Sequence, residues 1–301
     1  MPSKGRDNQR TYRGRIAPTP SGLLHTGHAR TFWMAWHRCR TASGTLVFRN
    51  EDLDPLRCKA NLTKAAQEDL RWLGLDWEEG PDVGGPDAPY HQGQRTHLYL
   101  DAWKQLVASG HIYPCQRSRK ELRQYAQDKG LDTRDPVFPI SWRPQGTVVS
   151  SDHPGNDHVW RFRVPEGRKL AFVDGNPQVG EKTYTCGKDF GDFVIWRRDN
   201  VPAYELAVVV DDAAMGITEV VRGEDLLVST ARQMLLYEAL GFSPPAFFHC
   251  PLLLDEEGQK LSKSLGSRSI AENREAGADP KEWRSTFRAD YERMVNPASV
   301  P

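Results

Sequence analysis

Two short motifs toward opposite ends of the chain, HTGH at 25–28 and KLSKS at 260–264, constrain its fold more than any other feature. The first follows an apolar segment, GRIAPTPSG at 14–22, and opens a stretch in which Ala29, Phe32, Trp33 and Trp36 recur at helical spacing. A buried strand running into an amphipathic helix puts His25 and His28 at a helix N-terminus. Unpaired backbone N–H groups and the positive end of the helix dipole favour a phosphate there, and Gly27 lets a ligand approach the backbone closely. The second motif places Lys260 and Lys263 on a loop introduced by Asp255, Glu256, Glu257 and Gly258. Lysines on a loop can close over a triphosphate, with Mg²⁺ sharing the charge through water and phosphate oxygens. Together the motifs predict ATP chemistry in which a carboxylate attacks the α-phosphate in line. Such a reaction needs positioning and hydrogen-bond donors aimed at the leaving pyrophosphate, and no covalent nucleophile.

The segments around the first motif alternate. TLVFRNEDLDP, from Thr45, predicts a strand ending in acidic residues; Leu62, Ala65, Ala66, Leu70 and Leu73 predict a helix over 59–73, and another helix is expected over 96–109. Strand, helix, strand, helix implies a parallel sheet, beyond whose carboxyl ends HTGH and Glu51 both fall. Residues 112–189 differ in texture, with a basic helical patch (RSRKELRQYAQDKG), a proline-rich stretch and strand-like HVWRFRVPEG and KLAFVDG. The sheet is expected to resume with the apolar run 206–210 as a strand buried on both faces. A helix over 229–240 and a PLLLD strand would then lead into KLSKS. The expected organisation is a flexible arm over 1–12, an α/β Rossmann-type catalytic domain over 13–111 and 190–270, an inserted α+β subdomain over 112–189, and a short C-terminal extension over 271–301.

Lys+Arg and Asp+Glu balance at 40 each, so a polyanionic partner must be met by a local basic surface. Arg117, Arg119, Lys120, Arg123, Arg161 and Arg163 of the insertion could form one, or could simply be solvated. Trp142, Trp160 and Trp196 are available to stack on bases or to fill a core. The five cysteines are scattered without a CxxC pair, which predicts reduced thiols in a cytoplasmic protein, and no apolar run reaches the length of a membrane span. A monomer is expected.

Arg15, Thr19, Glu51, Tyr204 and Arg222 are candidates for a small polar pocket. Arginine forks bind carboxylates, a carboxylate binds an ammonium and a phenol fixes orientation, so the set fits an acidic amino acid. Taken singly, Arg222 could pair with Glu224 or Asp225, and Glu51 could cap a turn.

These residues resemble the catalytic region of glutamyl-tRNA synthetases, class I aminoacyl-tRNA synthetases with HIGH and KMSKS signatures. RIAPTPSGLLHTGHAR, RNEDLD, AYELAVVVDDAAMGITEVVRGEDLLVSTARQ and KLSKS follow the family's blocks in order over about residues 13–269. The resemblance implies a Rossmann-type ATP site with an acceptor-stem insertion, and activation of L-glutamate to glutamyl-adenylate with Mg²⁺. It implies that Arg15, Tyr204 and Arg222 contact the glutamate side-chain carboxylate, that Thr19 and Glu51 face its α-amino end, and that His25, Gly27, His28 and Lys263 meet ATP. Only 265–301 follow the second motif, where a full-length glutamyl-tRNA synthetase continues into an anticodon-binding region. With the VVVDD block, this resembles the glutamyl-Q tRNA(Asp) synthetases, which transfer glutamate to queuosine in the anticodon loop of tRNA(Asp). A truncated enzyme charging the 3′ end of tRNA(Glu) and a non-catalytic tRNA-binding paralogue are the alternatives. Many members of that subfamily bind zinc through a cysteine cluster in the insertion. Here YPCQRSRKEL offers Cys115 alone, with His153 and His158 distant in sequence, so zinc is not expected. Lys263→Ala is expected to slow adenylate formation, read by pyrophosphate exchange, while leaving tRNA affinity unchanged; the reverse pattern would refute a role in ATP chemistry.

Overall fold

The computed structural model describes residues 11–146, 151–155, 157–253 and 268–296. In chain order these form β1 (Arg13–Ile16), α1 (Thr26–Thr41), β2 (Thr45–Phe48), α2 (Ala60–Trp72), α3 (Thr96–Ala108), β3 (Ile112–Cys115), α4 (Arg119–Asp128) and β4 (Val159–Phe162). There follow β5 (Lys169–Val173), β6 (Glu181–Thr185), β7 (Val194–Trp196), α5 (Tyr204–Ala214), β8 (Glu219–Gly223), α6 (Leu227–Leu240), β9 (Ala246–Cys250), α7 (Ile270–Glu275) and α8 (Pro280–Val295).

Two parallel pairs, β1 with β2 and β8 with β9, make the centre. They meet where Thr218 donates its N–H to the Arg13 carbonyl at 2.9 Å, so β1 lies beside β8. Side chains alternate across a strand, and here alternation sorts the core into two layers. Leu46, Phe48, Val221 and Phe248 join Trp33, Met34 and Leu70 on one side, whereas Val47, Val220 and Phe247 join Trp103, Leu206 and Leu235 on the other. Burial on both faces is the condition that favours the continuous apolar runs of parallel strands.

The run 206–210 is not a strand. It is the middle of α5, whose residues from Glu205 to Asp212 are all buried. Packing against α3, α6 and β7 surrounds this helix, so it is apolar all round and the helical period that would distinguish it from a buried strand is erased. PLLLD is not a strand at its described residues either. The strand β9 ends at Cys250, because Pro251 has no N–H to extend a ladder, and Pro251, Leu252 and Leu253 run on without regular pairing.

Between α3 and α5, β3, β4 and β7 form an antiparallel sheet and β5–β6 a hairpin. The hairpin is tied to the parallel centre by Gly175, which donates its N–H to the Phe247 carbonyl at 2.7 Å. Trp160 and Trp196 are both core residues, and Arg161 is buried over the Phe138 ring. Arg117, Arg119, Lys120 and Arg123 remain exposed along α4 and its lead-in, and Arg163 is half-buried. Helix α8 returns to pack on α1, with Phe287 and Met294 buried in the first core layer. Of the arm expected over 1–12, Tyr12 is anchored through its hydroxyl to Glu219 at 2.6 Å, and residues 1–10 lie outside the described set.

All five cysteines are free, and no helix among the described residues is long and apolar enough to cross a membrane. Trp103 on α3 meets Trp160 on β4 edge to face at 4.9 Å, joining the antiparallel sheet to the main core. Trp103→Ala should therefore destabilise the fold by about 3–5 kcal/mol, measured by urea unfolding.

Candidate active site

Helix α1 begins as its sequence predicts, and its two histidines cap it. His25 is the N-cap residue; its Nδ1 accepts the Gly27 N–H at 3.1 Å, while His28 Nδ1 accepts the His25 N–H at 3.3 Å. This is the reciprocal geometry of a capping box, with imidazoles in place of Ser and Glu. Accepting through Nδ1 puts the proton of each neutral ring on Nε2, so both rings carry a donor at that atom. The rings lie 3.8 Å apart, and both line a cavity of about 610 Å³. Gly27 has a further reason to be glycine beyond ligand approach: a Cβ there would sit 3.0 Å from His25 Cε1 and crowd the capping ring.

The same cavity is lined by Arg15, Thr19, Glu51, Tyr204 and Arg222, so the fold brings together every described residue of the expected site. Lys260 and Lys263 lie outside the described residues. Both flanks of their segment are placed, however: Leu253 lines the cavity, and Ile270 donates its N–H to the Leu24 carbonyl beside the start of α1 at 2.8 Å.

Behind the cavity wall is a buried ionic network that motif reading did not identify. Arg49, with no exposure, lies between Asp212 at 2.5 Å and Glu51 at 3.1 Å. Arg15 is 3.6 Å from Asp212, and Arg95 pairs with Asp211 at 2.7 Å. Burial pushes the Glu51 carboxyl up, with Arg49 and Arg15 opposing it. Burial likewise raises the Tyr204 phenol. Arg15, Arg49 and Arg95 thus balance Glu51, Asp211 and Asp212. The double acid of VVVDD was the available signal, since two aspartates beside a five-residue apolar run must be buried with partners.

Arg222 stands outside that balance. Its guanidinium is buried at 4% exposure, yet it donates to Gln233 Oε1 at 2.9 Å, Thr230 Oγ1 at 2.7 Å, His249 Nε2 at 3.3 Å and the Tyr204 hydroxyl at 3.4 Å. Every one of those partners is neutral. The pairing with Glu224 or Asp225 that the sequence left open is not made; Glu224 instead accepts the Leu252 N–H at 2.9 Å. The nearby Glu205 carboxylate is held by Ser229, Gln233 and Arg232.

A second cavity of about 1110 Å³ opens beside the first and shares Thr19, Ser21, Glu51 and Tyr204 with it. Its walls carry Arg57, Arg117, Arg119, Arg123, Arg134 and Arg198, the local basic surface that a neutral chain would need for a polyanion. Cys115 is buried beside Tyr113, Leu122 and Phe138, and among the described residues no three His, Cys, Asp or Glu side chains form a metal-holding group.

Residues 11–287 match the family model described as tRNA synthetases class I (E and Q), catalytic domain. The chain belongs to that family. It is an aminoacyl-tRNA synthetase-like ligase, and class I synthetases use ATP. The chain is 47% identical to a glutamyl-Q tRNA(Asp) synthetase of Symbiobacterium thermophilum, over 89% of its own length and 83% of that protein's. It is 45% identical to the protein of the same name from Nitratidesulfovibrio vulgaris, over 88% and 82%. A glutamate tRNA ligase of Elizabethkingia meningosepticum, solved in complex with its amino acid, superposes with a TM-score of 0.76 at 29% identity; the match covers 92% of this chain and 60% of that one. Loss of the cap in His25→Ala should cost about 0.5–2 kcal/mol of stability, measured by thermal and urea unfolding. A larger loss would mean that the ring does more for packing than its cap bonds account for.

Proposed function

We propose that this protein activates L-glutamate with ATP and transfers it to the queuosine base in the anticodon loop of tRNA(Asp). The observation that carries the first half is Arg222, a buried cation on the cavity wall whose described partners are all neutral. The Glu205 carboxylate acts on Arg222 through space, behind Gln233, and a ligand carboxylate would supply the direct ion pair that the fold withholds. Zwitterionic glutamate, with two carboxylates and one ammonium, brings a net charge of the required sign.

In this reading Arg222, Arg15 and Tyr204 hold the side-chain carboxylate, and Glu51 with Thr19 faces the α-ammonium. The α-carboxylate attacks the α-phosphorus of ATP, the α–β phosphoanhydride breaks and pyrophosphate leaves. His25, Gly27 and His28 at the N-terminus of α1 receive the phosphates, the two rings hydrogen-bonding to the developing charge as the phosphates bind. Lys260 and Lys263 neutralise the triphosphate, and Mg²⁺ arrives with ATP as its counter-ion. The acceptor then attacks the activated carbonyl and AMP leaves. The adjoining basic cavity supports a polynucleotide acceptor, because it opens beside Glu51 and Tyr204. The identity of that acceptor rests on the names of the two relatives at 47% and 45% identity.

The test offers ATP, Mg²⁺ and labelled glutamate with queuosine-containing tRNA(Asp) and with tRNA(Glu) in separate reactions. Label on tRNA(Asp) alone is expected; label on tRNA(Glu) alone would instead identify an enzyme charging the 3′ end. Arg222→Ala should reduce glutamate-dependent pyrophosphate exchange by about 100-fold or more, and near-normal exchange by a folded variant would sink the glutamate assignment.

A further inference from the structure

His249 was not among the residues that motif reading selected, and it touches the one guanidinium on which the glutamate reading depends. It sits in β9 with no exposure, a single histidine within the apolar run AFFHC. Its Nδ1 lies 2.5 Å from Asp174 Oδ2, and its Nε2 receives the Nε–H of Arg222 at 3.3 Å. Asp174 belongs to the turn after β5, and the turn grips β9 at several points. Asp174 Oδ1 accepts the backbone N–H groups of His249 at 3.0 Å and Asn176 at 2.9 Å, while the Asn176 side chain donates to the His249 carbonyl at 2.7 Å.

These contacts decide the protonation of the ring. An ionised carboxylate only accepts, so the proton belongs on Nδ1; Arg222 Nε–H only donates, so Nε2 must offer its lone pair. Thr230 Oγ1, 3.0 Å from Nε2 and 2.7 Å from Arg222 Nη2, closes a triangle with both. The charged groups facing His249 are Asp174 from the turn, Arg222 from β8 and Arg15 from β1. Burial holds the imidazole below its ordinary pKa; Arg222 and Arg15 add to that effect and Asp174 opposes it. A histidine serving only to fill the core would not need one particular tautomer. This one does, because the wrong tautomer would set an N–H against the N–H of Arg222.

We propose that Asp174 and His249 are positioning residues for substrate recognition, a relay that locks the imidazole as its Nδ1–H tautomer and thereby aims the Arg222 guanidinium at the side-chain carboxylate of the substrate. The proposal rests on the reading of Arg222 as the glutamate anchor. It gives the β5–β6 turn a role in the amino-acid pocket, although it is remote in sequence from every other residue there. Toward Arg222 the relay presents the neutral Nε2 of the imidazole, with the Asp174 carboxylate at the ring's other nitrogen, so it orients Arg222 without placing a carboxylate on the guanidinium where the ligand would bind.

Asp174→Asn is the decisive variant. Its amide oxygen can keep the backbone bonds to His249 and Asn176, but the amide NH₂ then faces Nδ1 and forces the proton to Nε2. Nitrogen NMR of histidine-labelled protein should show His249 as the neutral Nδ1–H form in the wild type and as Nε2–H in the variant. In pyrophosphate exchange the KM for glutamate should rise by about 10- to 100-fold, while the KM for ATP stays within about twofold and the unfolding midpoint is nearly unchanged. His249→Gln, which can place an amide oxygen near the former Nε2, should retain more glutamate affinity than His249→Leu. An Nε2–H tautomer in the wild type, or a folded Asp174→Asn protein with unchanged glutamate KM, would overturn the relay. Wild-type protein that shows the Nδ1–H tautomer but no glutamate-dependent exchange would overturn it through the underlying assignment of the pocket, leaving the hydrogen-bond chemistry intact.

Discussion

The site is organised around Asp211 and Asp212, the consecutive carboxylates near the end of α5. Asp211 accepts from Gln92 at 2.7 Å, Arg95 at 2.7 Å and Tyr99 at 2.8 Å, and Asp212 pairs with Arg49 and lies near Arg15. These partners come from β1, from the segment after β2 and from the start of α3 and the turn before it. One helix end therefore fixes several elements that converge on the cavity. Breaking a buried pair of this kind costs about 3–5 kcal/mol, because the remaining charge is left without water or partner. Such a network does less for net stability than apolar packing of the same volume would. It does fix the geometry of Arg15 and Glu51, and rigid geometry is what an electrostatic mechanism requires.

How much of this was legible in the sequence follows from where the signals lie. The first βαβ unit was, because β1 and β2 are short apolar runs buried on both faces while α1 between them keeps an apolar stripe at helical spacing. Tyr204 and Arg222 were legible as pocket residues through motif order. The secondary structure around Tyr204 was not, since α5 is surrounded and a helix without a polar face has no period to read. His249 was not legible either: a lone histidine in FFHC reads as core, and its importance comes from Asp174, Arg222 and Thr230, all of which meet it only in three dimensions. The reciprocal cap of His25 and His28 shows a different limit. The spacing announces two rings on one turn, but the cap itself sets their tautomers.

The second cavity reconciles a neutral chain with a polyanionic partner. Charge balance over the whole molecule says nothing about local potential, and here Arg117, Arg119 and Arg123 are gathered on one face by a single short helix and its lead-in. The capping box of α4, in which Ser118 and Glu121 satisfy each other's backbone donors, starts that helix where the arginines need to be. Arg161, on β4, also lines this cavity but is buried, packing over Phe138 and donating to the Asp192 carbonyl at 2.9 Å. The exposed part of the basic surface is therefore narrower than the arginine count of the insertion suggests, and its cavity borders the first one at Glu51 and Tyr204.

The contrast between Arg49 and Arg222 carries the final step. Both are buried arginines in the same network of elements, yet Arg49 lies between two carboxylates and Arg222 among an amide, two hydroxyls and an imidazole. A carboxylate partner would stabilise Arg222 more in the empty protein, and that same carboxylate would then repel an acidic ligand. Neutral acceptors satisfy the directional demands of the guanidinium while leaving its charge to be neutralised from outside. On the proposed reading, the folded state forgoes some stability at this position and glutamate binding recovers it. On the proposed reading of Arg222, an acidic substrate is favoured over its amide analogue for the same reason, since the amide restores hydrogen bonds but brings no charge to pair with the guanidinium.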